Sequence, residues 1–240
     1  MATFQTELRK SEEIAERTMA FHFEKPAGFE FRAGQFVDVT LLNPPQMDSQ
    51  GAIRTFTIAS APYEEEILLA TRMRSSAFKR VLAALYPGAK VKLEGPTGSF
   101  TLHKDSSKAA VFLAGGIGIT PFRSIVRQAI KDKLPHQIYL FYSNRRPEDA
   151  AFLGELRRLS ASDSHFIFVP TMDGMENSRL PWNGRRDSIN RELLMQHLCD
   201  LSGPIYYAAG PPAMVAAMRQ LLTQLGVDED DIRTEEFGGY

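Results

Sequence analysis

The stretch Leu113-Ala114-Gly115-Gly116-Ile117-Gly118-Ile119-Thr120-Pro121 decides the fold. It leads from an apolar run, residues 110–114, through three glycines into a segment whose apolar residues Phe122, Ile125, Val126, Ala129 and Ile130 share one helical face. A buried strand passing directly into an amphipathic helix is the repeating unit of a parallel sheet. Thr120 is placed to cap the helix and Pro121 suits its first turn. Residues without Cβ let backbone approach phosphate oxygens, and a helix N-terminus presents free N–H groups, so the turn suits a pyrophosphate. Gly115, Gly116, Gly118, Thr120 and Pro121 are the candidate residues for it. Pro121 stands where the third glycine of GxGxxG would be, and a tight structural turn accounts for the same residues.

The pattern repeats downstream. Strand-like runs at 137–142, 165–169, 205–209 and 232–237 alternate with helix-like patterns at 147–159, 189–201 and 213–225, which predicts an α/β domain with an open five-stranded parallel sheet. Such sheets bind ligands beyond the carboxyl ends of their strands. There Asn144, Arg145 and Asp149 could meet ribose or phosphate, and Gly210 and Pro211 would let a flat ring lie against backbone. Helix capping by Pro147, Glu148 and Asp149 is the structural alternative.

Upstream the residues follow a period of two. Runs at 4–8, 19–23, 36–42, 55–59, 67–73 and 90–93 predict an antiparallel sheet or small barrel, as the alternation of Val37, Val39 and Leu41 illustrates. Phe78, Val81, Leu82 and Leu85 mark one helix, stopped by Pro87 and Gly88. Residues 43–51, with two prolines, are a loop. The change of pattern near 102–108 predicts two domains, 1–104 and 105–240.

Composition excludes several function classes. A net charge of −1 over 240 residues provides no global field for nucleic acid. Residues 1–18 lack the apolar core of a signal peptide, and the longest apolar run, 109–119, is too short to cross a bilayer, so a cytoplasmic protein without membrane insertion is expected. Cys199 is the single cysteine, which rules out an intrachain disulfide and a four-thiolate iron–sulfur cluster. Its leucine neighbours predict a buried helix thiol. The five histidines lack metal-ligand spacing, so no metal site is expected. A monomer is expected.

Arg54-Thr55-Phe56-Thr57-Ile58-Ala59-Ser60, if extended, puts Arg54, Phe56 and Ile58 on one face. Periodicity alone calls it an ordinary strand, yet it resembles the RxYSxxS strand of the ferredoxin-NADP reductase-like superfamily. The likeness extends in order through Gly95-Pro96-Thr97-Gly98-Ser99-Phe100, the glycine turn, Gly210-Pro211-Pro212 and an aromatic C-terminus. It implies a flavin-binding antiparallel β-barrel followed by a nucleotide-binding α/β domain, with FAD as cofactor, FMN also open, and NADH or NADPH as donor. By this resemblance Arg54 pairs with a flavin phosphate, Phe56 lies on the isoalloxazine, and Thr57 offers its hydroxyl to flavin N5. Thr71 and Arg72 border the flavin, and Ser76 falls in a segment where the family usually holds the pyrophosphate with a Gly and a Ser or Thr. Thr57, Glu235 and Phe237 are assigned to hydride transfer, and either Phe237 or Tyr240 covers the second flavin face. Ala209 replaces a cysteine that many members place beside the nicotinamide.

The expected activity is hydride transfer from NAD(P)H to bound FAD, with electrons passed on to a separate acceptor such as a ferredoxin, haem protein, flavodoxin or small molecule. A reductase of free flavin and a non-catalytic flavin-binding redox-sensing or interaction module are the alternatives.

Overall fold

The computed structural model describes residues 2–238. Tyr240, one of the two candidate ring-covering aromatics, lies outside them. The N-terminal half contains β1 (Thr3–Ala15), β2 (Thr18–Glu24), β3 (Phe36–Leu41), β4 (Ile53–Thr57), β5 (Glu66–Arg72), helix α1 (Ala77–Ala83) and β6 (Lys90–Thr97). The six strands form an antiparallel sheet in the order β4-β3-β6-β1-β2-β5. Its edges meet where Ile58 bridges Leu69 and the Ala59 N–H donates to the Leu68 carbonyl at 2.8 Å. Alternate residues such as Phe21, Phe23, Val37, Val39, Ile67 and Leu69 fill the interior. Strand β1 runs well beyond the expected residues 4–8. Its charged second half has no apolar alternation, and backbone pairing with β2, from Lys10 opposite His22 to Ala15 opposite Thr18, keeps it extended.

The C-terminal half contains β7 (Ala110–Gly115), α2 (Ile119–Lys131), β8 (Ile138–Asn144), α3 (Leu153–Ser162), β9 (Phe166–Met172), α4 (Arg191–His197), β10 (Ile205–Gly210), α5 (Pro212–Gln224) and β11 (Ile232–Glu236). The strands pair in parallel in the order β11-β10-β7-β8-β9. Central strands β7 and β10 are buried at every residue, as strands covered on both faces must be. Two apolar clusters, one on each face, complete the layers.

Three local expectations are corrected. Gly116–Gly118 winds into a short 3₁₀ turn, so Gly118 occupies the cap position of α2 and Thr120 lies within the first turn, its hydroxyl donating back to the Ile117 carbonyl at 3.1 Å. Residues 147–159 do not form one helix: a 3₁₀ turn at Pro147–Asp149 is followed by a break with Phe152 at φ +60°. Helix α4 stops at His197, so Leu198 still turns inward while Cys199 is exposed and not a buried thiol. Among the described residues no helix is long and apolar enough to cross a membrane.

The halves are joined at the barrel seam. Arg123 of α2, 6% exposed, donates to the Ala59 carbonyl at 2.7 Å and to Glu64 at 3.1 Å. The Ser124 hydroxyl donates to the Ser60 carbonyl at 2.6 Å, while Ser60 Oγ accepts the Leu68 N–H at 3.0 Å.

Candidate active site

The carboxyl ends of the parallel strands open into a cleft of about 550 Å³ that Gly115, Gly116, Asn144, Arg145, Asp149 and Pro211 help to line. The glycines of the turn divide by task. Gly116, at φ +53°, has open space where a Cβ would point, so its backbone faces the cleft. A Cβ on Gly118 would lie 2.2 Å from the Ala209 carbonyl oxygen, so this glycine packs the turn against β10. Gly210 and Gly115 are pressed together in the same way, a Cβ on Gly210 meeting the Gly115 carbonyl at 3.0 Å. Thr120 and Pro121 are buried in α2 and do not reach the cleft wall.

Asn144, at the end of β8, is buried, and both atoms of its amide lack a hydrogen-bond partner among the described residues. A buried amide in a cleft wall with unused donors and an unused acceptor fits a polar ligand. Arg145 beside it is exposed. Asp149 and Arg72, both expected at the cofactor, bind each other at 3.0 Å across the two halves, and Arg146 completes the group at 2.9 Å. Burial raises the Asp149 carboxyl, and the opposing bonds from Arg146 and Arg72 hold it below the usual aspartate range.

Thr57 at the end of β4 and Glu235 in β11 meet where the barrel faces the parallel sheet. Burial raises the Glu235 carboxyl to about 7 against the lowering pull of the Thr57 hydroxyl. Its buried Oε2 has no partner among the described residues. A second opening, about 640 Å³, brings Glu235 beside Phe36 and Gly98, Ser99 and Phe100 of the second sequence motif. Phe237 packs against the core face of the sheet, its N–H donating to the Gly210 carbonyl at 3.0 Å.

Arg54 lies on the same strand as Thr57. Its guanidinium binds Asp48 at 2.9 Å and donates to the carbonyls of Gln50, Gly51 and Ile53. The second Asp48 oxygen accepts the Ala77 N–H at 3.1 Å. Ser76 caps α1 through the Lys79 N–H. Phe56 is 7% exposed and packs on Phe78 in the barrel core, and Thr71 is likewise buried, so neither offers an open face in this arrangement. The residues nevertheless fit a flavin at both ends. One end has a carboxyl beside a hydroxyl with its buried Oε2 unused among the described residues; the other already holds a carboxylate between a guanidinium and an amide N–H.

Arg54 stands out in the sequence but its partner Asp48 does not, because a loop aspartate carries no periodic signal. Arg123 is marked only by its place on the apolar side of α2.

Two family models match the chain: an oxidoreductase FAD-binding domain over residues 5–102 and an oxidoreductase NAD-binding domain over residues 112–220. The reductase component of propane 2-monooxygenase from Rhodococcus jostii is 27% identical over 89% of this chain, which spans 57% of that protein's length. The glycine betaine monooxygenase reductase subunit of Chromohalobacter salexigens is 26% identical over 92% of this chain and 60% of its own length. Ferredoxin-NADP reductase B of Sorangium cellulosum is 29% identical, with 92% of this chain and 91% of that protein covered. Among solved structures, a ferredoxin NADP⁺ reductase from Neisseria gonorrhoeae superposes with a TM-score of 0.79 at 21% identity, covering 98% of both chains, and an Amycolatopsis cytochrome P450 reductase with 0.82 at 22% identity, covering 98% of this chain and 70% of that one. With a closed antiparallel barrel, a five-stranded parallel sheet and both matched models in the same order, the chain belongs to the ferredoxin-NADP reductase-like superfamily.

Proposed function

We propose that the protein is an NAD(P)H-dependent flavoprotein reductase that passes electrons to a separate acceptor, with residues 1–104 binding the flavin and 105–240 the nucleotide. The observation that carries this reading is the meeting of Thr57 and Glu235, one from each domain, at the mouth of the nucleotide sheet. Bound flavin would supply the chemistry, accepting a hydride and releasing electrons singly. The chain's own residues bind, orient and exclude water. Gly115, Gly116 and Asn144 present backbone and amide groups to the dinucleotide, Pro211 lines the same wall, and Gly210 lets β10 close onto Gly115 behind it. Thr57 offers a hydroxyl at the reacting end, and Glu235, protonated below about pH 7, can hold a proton there. Arg54 carries the charge that a flavin phosphate needs.

Reductase components among the relatives, including that of propane 2-monooxygenase, support an acceptor on another polypeptide. The purified protein is expected to be yellow and to bleach anaerobically with NADH or NADPH. A protein that takes up neither FAD nor FMN would overturn the reading. Flavin retained through gel filtration distinguishes it from a reductase of free flavin.

A further inference from the structure

The mechanism has no use for Asp48, which sits on the residue assigned to the flavin phosphate. Its carboxylate is held as an oxyanion is held: Oδ1 receives the Arg54 guanidinium at 2.9 Å and the Gln50 N–H at 3.1 Å, and Oδ2 receives the Ala77 N–H at 3.1 Å. Burial pushes the carboxyl up, but these bonds outweigh it and keep Asp48 below the usual aspartate range. The surroundings are cationic. Half-buried Lys79 is lowered first by burial and then by the charges of Arg74 and Arg54, so the site favours negative charge.

The segment bearing Asp48 is attached by few side-chain bonds. Residues 43–51 begin at Asn43, φ +47°, and end at Gly51, φ +72°. Their other side-chain bonds to the rest of the chain come from Arg54, onto the Gln50 and Gly51 carbonyls, and from Arg80, onto Gln46 at 3.2 Å. Releasing Asp48 removes its bonds from Arg54 and from the Ala77 N–H and leaves the loop held through Gln46, Gln50 and Gly51.

We propose that Asp48 is an internal competitor of the flavin phosphate: the carboxylate and the phosphate take the same donor, the Arg54 guanidinium, so flavin nucleotide binding is a ligand exchange that expels Asp48 and loosens residues 43–51. The inference rests on the flavin reading of Arg54. Every bond made to the phosphate replaces one to the carboxylate, so Arg54 adds less to net affinity than a guanidinium that starts solvated. Riboflavin, which has no phosphate, does not compete.

The test is titration of the full chain, freed of flavin, with FAD and with riboflavin. Asp48→Asn and Asp48→Ala are expected to bind FAD about tenfold more tightly than the unaltered protein and riboflavin equally. In the unaltered protein, FAD is expected to speed hydrogen exchange of the amides from Gln46 to Gly51, which lose the tether that Asp48 provides. FAD affinities equal within about twofold, weaker FAD binding by the variants, an equal gain for riboflavin, or amides from Gln46 to Gly51 slowed by FAD would each overturn the competition while leaving the proposed function intact. Failure of every form to bind FAD or FMN would overturn both.

Discussion

Glu235, the carboxyl proposed to hold a proton at the reacting end, also bears on stability. Its carboxyl, raised by burial to about 7, binds a proton more tightly in the folded protein than in the unfolded chain, where an ordinary glutamate titrates near 4.5. The folded state therefore holds more protons between those values, and stability falls as pH rises. The contribution is fully present below about pH 4.5 and is lost as pH passes 7. A shift of that size corresponds to roughly 3 kcal/mol. Glu235→Gln should flatten this part of the pH–stability curve in urea unfolding of the flavin-free protein between about pH 5 and 8.5, while lowering the rate of nucleotide-driven flavin reduction. An unchanged slope would mean that the carboxyl is ionised in the folded protein throughout.

The glycine turn shows what an element demands of its residues. Gly118→Ala would drive a methyl into the Ala209 carbonyl and should destabilise by about 1–3 kcal/mol, read as a lower melting temperature. Gly116→Ala meets no neighbour and carries only the left-handed backbone penalty of about 1–2 kcal/mol, but its methyl points into the cleft. It should therefore raise the KM for the nucleotide by more than its modest loss of stability suggests. The turn and the strands around it were legible in the sequence because buried strands and glycine junctions leave periodic, local signals. Other features left none. Strand β1 extends through charged residues because β2 pairs with it, and α4 ends two residues before Cys199 although the leucine pattern continues. The Asp149 side chain points to Arg72, 77 residues away, and Asp48 reaches Ala77, 29 residues away. Bonds of that kind are set by tertiary geometry, which spacing along a chain does not encode.

At the scale of the whole molecule the halves are bound by charge as well as by packing. Arg123 and Arg127 of α2 share Glu64 from the barrel side and Glu155 of α3, with the Arg123 side chain only 7% exposed. Arg123→Met removes the bond to the Ala59 carbonyl and leaves two carboxylates to one arginine. A loss of about 3 kcal/mol is expected. Calorimetry should show the single unfolding transition separating into two as the barrel and the parallel sheet lose their coupling. One sharp transition at a lower temperature would instead place the coupling in the apolar packing. The order of the motifs was legible here too, since barrel-type alternation precedes βαβ repetition, whereas the ionic junction was not.

The barrel seam has a mechanical consequence. Ala59 uses its N–H to shut the barrel onto Leu68 and its carbonyl to receive Arg123, so one peptide-linked residue serves as both latch and hinge pin. Rotating the two halves apart would pull on that latch, so a strain applied between them is felt first where the barrel closes.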